Sequence, residues 1–90
     1  MDYIDERTLT AFGHAIRAAR LQREETQLAV ARALGIDNTS LSAYETGKAN
    51  PPLTVALRLS DYLAVDLRSI ARMARPQRGR PARIAARRRA

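Results

Sequence analysis

Residues 26–44, TQLAVARALGIDNTSLSAY, decide the fold of this 90-residue chain. Val30, Ala31 and Leu34 fall one and three apart, so a helix over 27–34 carries them on one face. Gly35 stands where a helix ends most readily, because glycine enters the left-handed conformation without a Cβ penalty. Asp37 then offers a side-chain oxygen to the free N–H groups of a second helix over 38–45. That helix packs through Leu41 and Tyr44 and leaves Asn38, Thr39, Ser40, Ser42 and Ala43 small or polar. Two short helices across a glycine turn, the second with a hydrogen-bonding face, predict a helix-turn-helix whose second helix enters a DNA major groove.

Outward from this pair the chain reads as helical throughout. Leu9, Phe12, Ile16 and Ala19 recur at three and four, giving a first helix over about 8–23 with one apolar face. Residues 1–7 are expected to form a frayed arm. Thr26 is the expected N-cap of the second helix, and Leu28 points away from the core, either as a lone exposed leucine or as a small protein contact. Gly47 ends the third helix. Asn50-Pro51 is read as the start of a fourth over about 52–63, with Asn50 capping and Leu53, Ala56, Leu57, Ser60 and Leu63 buried. Asp66 caps a fifth over 67–74, with Leu67 and Ile70 inward and Val65 and Met73 near the surface.

Charge divides the chain. Through residue 74, nine Arg and Lys residues balance nine acids. Residues 75–90 hold seven arginines and no acid, and so carry the whole net charge of +7. A neutral domain over 8–74 therefore precedes a basic tail over 75–90 that lacks an apolar period and is expected to be disordered when free. There is no cysteine, which removes disulfides, thiol nucleophiles and cysteine zinc sites. No apolar run is long enough to cross a membrane, and the acidic N-terminus does not resemble a signal peptide. Composition is thus permissive for a cytoplasmic, nucleoid-associated protein. His14 is the only histidine and is expected on the surface of the first helix. No glycine-rich phosphate loop, catalytic constellation or metal-spaced cluster is present in the sequence, so no enzyme, cofactor or metal is expected.

Gly13, Ile16, Arg17, Arg20, Thr26-Gln27, Val30-Ala31, Leu34-Gly35-Ile36, Leu41-Ser42, Tyr44-Glu45, Gly47-Lys48, Pro51, Leu63 and Leu67 together resemble the phage-repressor/Cro-type (XRE) helix-turn-helix family. The resemblance covers about two thirds of the chain, from Gly13 through Ile70. It implies an all-α, lambda-repressor-like bundle of five helices. It further implies that Arg20 pairs with Glu45, either as a buried clamp or as an ordinary surface pair. The family usually has glycine after the last leucine of the fourth helix. Ala64 stands there, so the turn is expected to be tighter or the helix longer.

For base reading, Asn38 is the strongest candidate, since its amide can pair with adenine N6 and N7; its other reading is a second N-cap beside Asp37. The resemblance also puts Thr39, Ser42 and Ala43 on the base-facing side. Phosphate contacts are expected from Gln27, at a helix start where free N–H groups attract anions, and from Arg17, Ser40, Thr46, Lys48 and Asn50. By resemblance, Gln27 also braces the first reading residue. In the tail, Arg78-Gly79-Arg80-Pro81 resembles the core of an AT-hook. With Arg83, it either enters a narrow minor groove, attracts phosphate generally, or binds protein or RNA. The resemblance places a dimer contact on Pro52, Val65, Leu67, Arg68 and Met73.

The chain is accordingly read as a sequence-specific DNA-binding regulator, a dimeric repressor on double-stranded DNA. Two other readings stand beside it. One is an antitoxin that binds a toxin partner and represses its own operon. The other is an architectural DNA coater that depends on the tail.

Overall fold

The computed structural model describes residues 3–75 of the chain, and these form five α-helices and no strand. They are α1 (Tyr3–Gln22), α2 (Gln27–Leu34), α3 (Asn38–Glu45), α4 (Leu53–Leu63) and α5 (Leu67–Ala74). The core gathers Phe12 and Ile16 of α1, Val30, Ala31 and Leu34 of α2, Leu41 of α3, Leu59 and Leu63 of α4, and Ile70 of α5. Every helix therefore contributes its apolar face to one centre.

Caps fix the bounds of α2, α3 and α5. The Thr26 hydroxyl accepts from the Ala29 N–H, Asp37 from the Ser40 N–H, and Asp66 from the Arg68 N–H. At the other ends one hydrogen-bonding motif recurs. Gly35 takes a left-handed φ of 68°, and the Ile36 N–H donates back to Ala31 O. Gly47 has φ 74°, and the Lys48 N–H donates to Ala43 O. The motif satisfies the last carbonyls of each helix.

The same motif ends α1 and α4 without glycine. Glu24 and Ala64 both sit at φ 58°, with the Glu25 N–H on Arg20 O and the Val65 N–H on Ser60 O. Ala64 therefore neither lengthens α4 nor tightens the turn, as the missing glycine had suggested. It adopts the left-handed position itself.

Three expectations need correction. First, α1 begins at Tyr3, so residues 3–7 are helical and not a frayed arm. The Arg7 guanidinium donates from Nε to Ala74 O and from Nη2 to Arg75 O, both at 3.0 Å, and this ties the first helix to the end of the last. Second, α4 starts at Leu53 with Pro52 at the cap position and no side-chain cap bond, so Asn50 does not cap it. The reason is steric: a residue preceding proline is excluded from helical backbone, which keeps Pro51 outside. Third, α4 is rotated from the expected face. Leu53 is 73% exposed and Leu57 is exposed, whereas Leu59 is fully buried beside Ser60 and Leu63. Leu67 also faces out from the start of α5, leaving Ile70 and Ala74 as that helix's buried residues.

Candidate nucleic-acid interface

The position of α3 is set from behind by an interlocking polar cluster. Arg20 of α1 and Glu45 at the end of α3 are only 8% and 3% exposed. The guanidinium grips the carboxylate with two prongs, Nε to Oε2 at 2.7 Å and Nη2 to Oε1 at 3.0 Å. Its third nitrogen, Nη1, donates to Glu25 O at 2.8 Å in the α1–α2 turn. The bond to Glu45 raises the Arg20 pKa above its ordinary value and outweighs the opposing effect of burial. No buried side-chain nitrogen or oxygen among the described residues lacks a partner, so the buried charge is fully satisfied. Of the two forms the pair was open to, the structure has the buried clamp.

Backbone contact completes the seat. A Cβ on Gly13 would lie 2.5 Å from Tyr44 O and 2.7 Å from Glu45 O. Only a residue without a side chain lets α1 cross the last turn of α3 so closely. Leu41 is buried beneath the middle of α3, and Asp37 caps its start.

The opposite face of α3 is open. Asn38 and Thr39 are exposed on its first turn, and Ser40, Ser42 and Ala43 are half-buried along it. Because Asp37 is the cap, Asn38 is not needed for that task. Around this face, Arg17, Lys48 and Asn50 are exposed. The Thr46 hydroxyl donates to Ser42 O at 3.1 Å and Ala43 O at 3.2 Å, so its proton is used within its own helix end. Gln27 is half-buried at the first position of α2. Its amide nitrogen donates to Glu45 Oε1 at 2.9 Å, so it braces the clamp and not Asn38. The expectations for Arg78, Gly79, Arg80 and Arg83 concern positions outside the described residues.

Sequence reasoning missed a second cluster. Glu25 accepts from Arg23 Nε at 2.9 Å and from the Tyr62 hydroxyl at 2.8 Å, and the Arg23 guanidinium lies 4.9 Å from the Tyr62 ring centre. It latches the α1–α2 turn to α4. Its partners stand 37 residues apart, and no local pattern announces such a pair. His14 is exposed, as anticipated. Among the described residues no group of acids and histidines is arranged to hold a metal, and no helix is long and apolar enough to cross a membrane.

Two helices joined by a glycine turn, with the second clamped from behind and open in front, define a helix-turn-helix DNA-binding domain. A family model described as Helix-turn-helix matches residues 16–70, more than half of the chain. The protein belongs to this family, the XRE-type or Cro/repressor-like helix-turn-helix proteins, and is a DNA-binding regulator. Against the curated proteins and the solved structures, the chain finds no significant match.

Proposed function

We propose that the protein is a sequence-specific repressor that binds as a dimer, with α3 of each copy lying in a major groove. The observation that carries this reading is the division of labour on α3. Glu45, Leu41 and the Asp37 cap hold the helix, while Asn38 and Thr39 stand exposed on its first turn with no part in the fold. Asn38 reads adenine; Thr39, Ser42 and Ala43 add hydroxyl and methyl contacts. Arg17, Lys48, Asn50 and the free N–H groups at the start of α2 position the phosphates, joined by Gln27 and Ser40.

The dimer reading rests on exposed apolar side chains. Leu53 and Leu57 lie one turn apart on the same side of α4, and Leu67 and Met73 are exposed on α5. Pro52 and Arg68 are exposed near them in sequence, and Val65 is half-buried against the core. Two copies then meet half-sites about 34 Å apart on an inverted repeat. Action at the nucleoid follows.

Selection of bound fragments from random duplexes tests both parts, because it returns a motif and a half-site spacing. Asn38→Ala is expected to weaken the selected site by about 1–3 kcal/mol and leave scrambled DNA unchanged. Equal loss on both would falsify the assignment of α3 as the reader. The antitoxin reading is favoured by a different observation: Leu28 is exposed on α2, and Leu21 is exposed near the end of α1. A toxin co-purifying with the chain, and lost on Leu28→Ser, is the outcome that would replace the repressor reading.

A further inference from the structure

Glu6, Thr10 and His14 follow one another at intervals of four on α1, and all three are exposed. Side chains at that spacing form a single ridge along a helix. Together with Arg7 and Ala11 of α1 and Met73 of α5, they line one surface groove. Met73, 55% exposed, is the apolar side chain that α5 contributes to it. The Arg7 guanidinium is drawn to the end of α5, where it donates to Ala74 O and Arg75 O. The ridge itself therefore offers a carboxylate at one end, an imidazole at the other and a small hydroxyl residue midway.

That order is self-complementary. In a twofold contact one patch serves both partners, so residue i meets residue j and j meets i. With α1 of a second copy laid antiparallel and the axis at Thr10, Glu6 of each copy comes opposite His14 of the other. Both lie about 6 Å along the helix from the crossing point, within side-chain reach of each other. Ridges of this kind interdigitate at a crossing angle of about −50°. The next register fails, because an axis at Phe12 sets Arg7 against Arg17 and Glu6 against Ala18. A partner of one charge sign would match only one end of the ridge, whereas a second copy matches both. The crossing point also falls beside the end of α3, since Thr10 Cα and Oγ1 would both lie 3.4 Å from a Cβ on Gly47.

We propose that the Glu6–Thr10–His14 ridge is a self-association surface, on which a second copy of this chain docks antiparallel with Thr10 at the twofold axis. Two carboxylate–imidazole hydrogen bonds flank that axis, and Met73 of each copy adds apolar contact along the groove. The surface is separate from Leu53 and Leu57 on α4 and goes beyond the dimer reading above; DNA has no part in forming it. A chain bearing both surfaces can join one dimer to the next.

The test uses the full-length chain without DNA. The chain has no native cysteine, so Thr10→Cys carries a unique thiol, opposite its own copy at the axis. With oxidised glutathione as the electron acceptor, Thr10→Cys should form a disulfide-linked dimer at least about tenfold faster than Ala33→Cys, an exposed position on α2 that sets the rate of random collision. Adding Glu6→Lys or His14→Glu should each slow the linkage about tenfold, and the two together should restore it to within about threefold of Thr10→Cys alone. His14→Glu lowers the net charge of +7 and would favour a merely long-range encounter between copies, so a loss there is local. Sedimentation equilibrium asks the same question without a cross-link. With Leu53 and Leu57 both changed to Ser, the chain should still self-associate, and Glu6→Lys should abolish it. Linkage of Thr10→Cys no faster than Ala33→Cys, no loss with either charge change, no recovery in the combined variant, or a monomer in the serine background would each overturn the proposal. None of these outcomes bears on the DNA reading, which fragment selection tests separately.

Discussion

Glu45 takes hydrogen bonds from two helices at once, Arg20 of α1 and Gln27 of α2, and it does so at the end of α3. A carboxylate in that position is a fold determinant first and a neighbour of the binding face second. Truncating it leaves the Arg20 guanidinium buried with one backbone acceptor, Glu25 O. Glu45→Ala is therefore expected to destabilise the domain by about 3–5 kcal/mol, read from the midpoint of urea unfolding. A loss below about 1 kcal/mol would mean that the pair behaves as a surface contact. The pairing itself was legible in the sequence, through the resemblance. The Gln27 bond was not, because the same amide has two plausible destinations, and only the packed geometry brings Glu45 within 2.9 Å of it.

At the level of helices, the four ends that share one capping motif do not share one residue. Gly35 and Gly47 suit the left-handed position, whereas Glu24 and Ala64 hold φ 58° with a Cβ attached. A side chain in that conformation is strained by about 1–2 kcal/mol. Ala64→Gly should raise stability by about 1 kcal/mol, visible as a higher unfolding midpoint with unchanged DNA affinity; a lower midpoint would refute the strain argument. Gly13→Ala should do the reverse, since its methyl would strike the carbonyls of Tyr44 and Glu45, and a loss of about 2–3 kcal/mol is expected in the same assay. The sequence revealed the helices that carry their own punctuation: α2 and α3 matched to the residue because Thr26, Gly35, Asp37 and Gly47 bracket them. It failed on α4, where leucines at 53, 57, 59 and 63 fit two faces equally well. Burial of Leu59 in place of Leu53 is decided by partners on other helices, and no local spacing encodes it. The start of α1 failed for the same reason, because Arg7 finds its acceptors 67 and 68 residues away.

Across the whole molecule, the α1–α2 turn is held to α4 through Glu25, whose carboxyl sits below the usual range because Arg23 donates to it, with Tyr62 adding a second bond. The folded protein thus binds this proton less readily than the unfolded chain. The stability it contributes is complete above the unfolded value of about 4.3 and is lost as pH falls through the lower, folded one. Melting temperatures of the parent and Glu25→Gln should differ at about pH 7 and converge toward about pH 3; a gap that stays constant would assign the latch a role independent of ionisation. The open face of α3 has a wider consequence. Asn38 and Thr39 neither cap nor pack, and substitutions at such positions usually shift stability by no more than about 0.5 kcal/mol. On the proposed reading of α3 as the base reader, a duplicated gene for this chain can drift in those two codons, acquire a new operator and stop competing with its parent while keeping an intact scaffold.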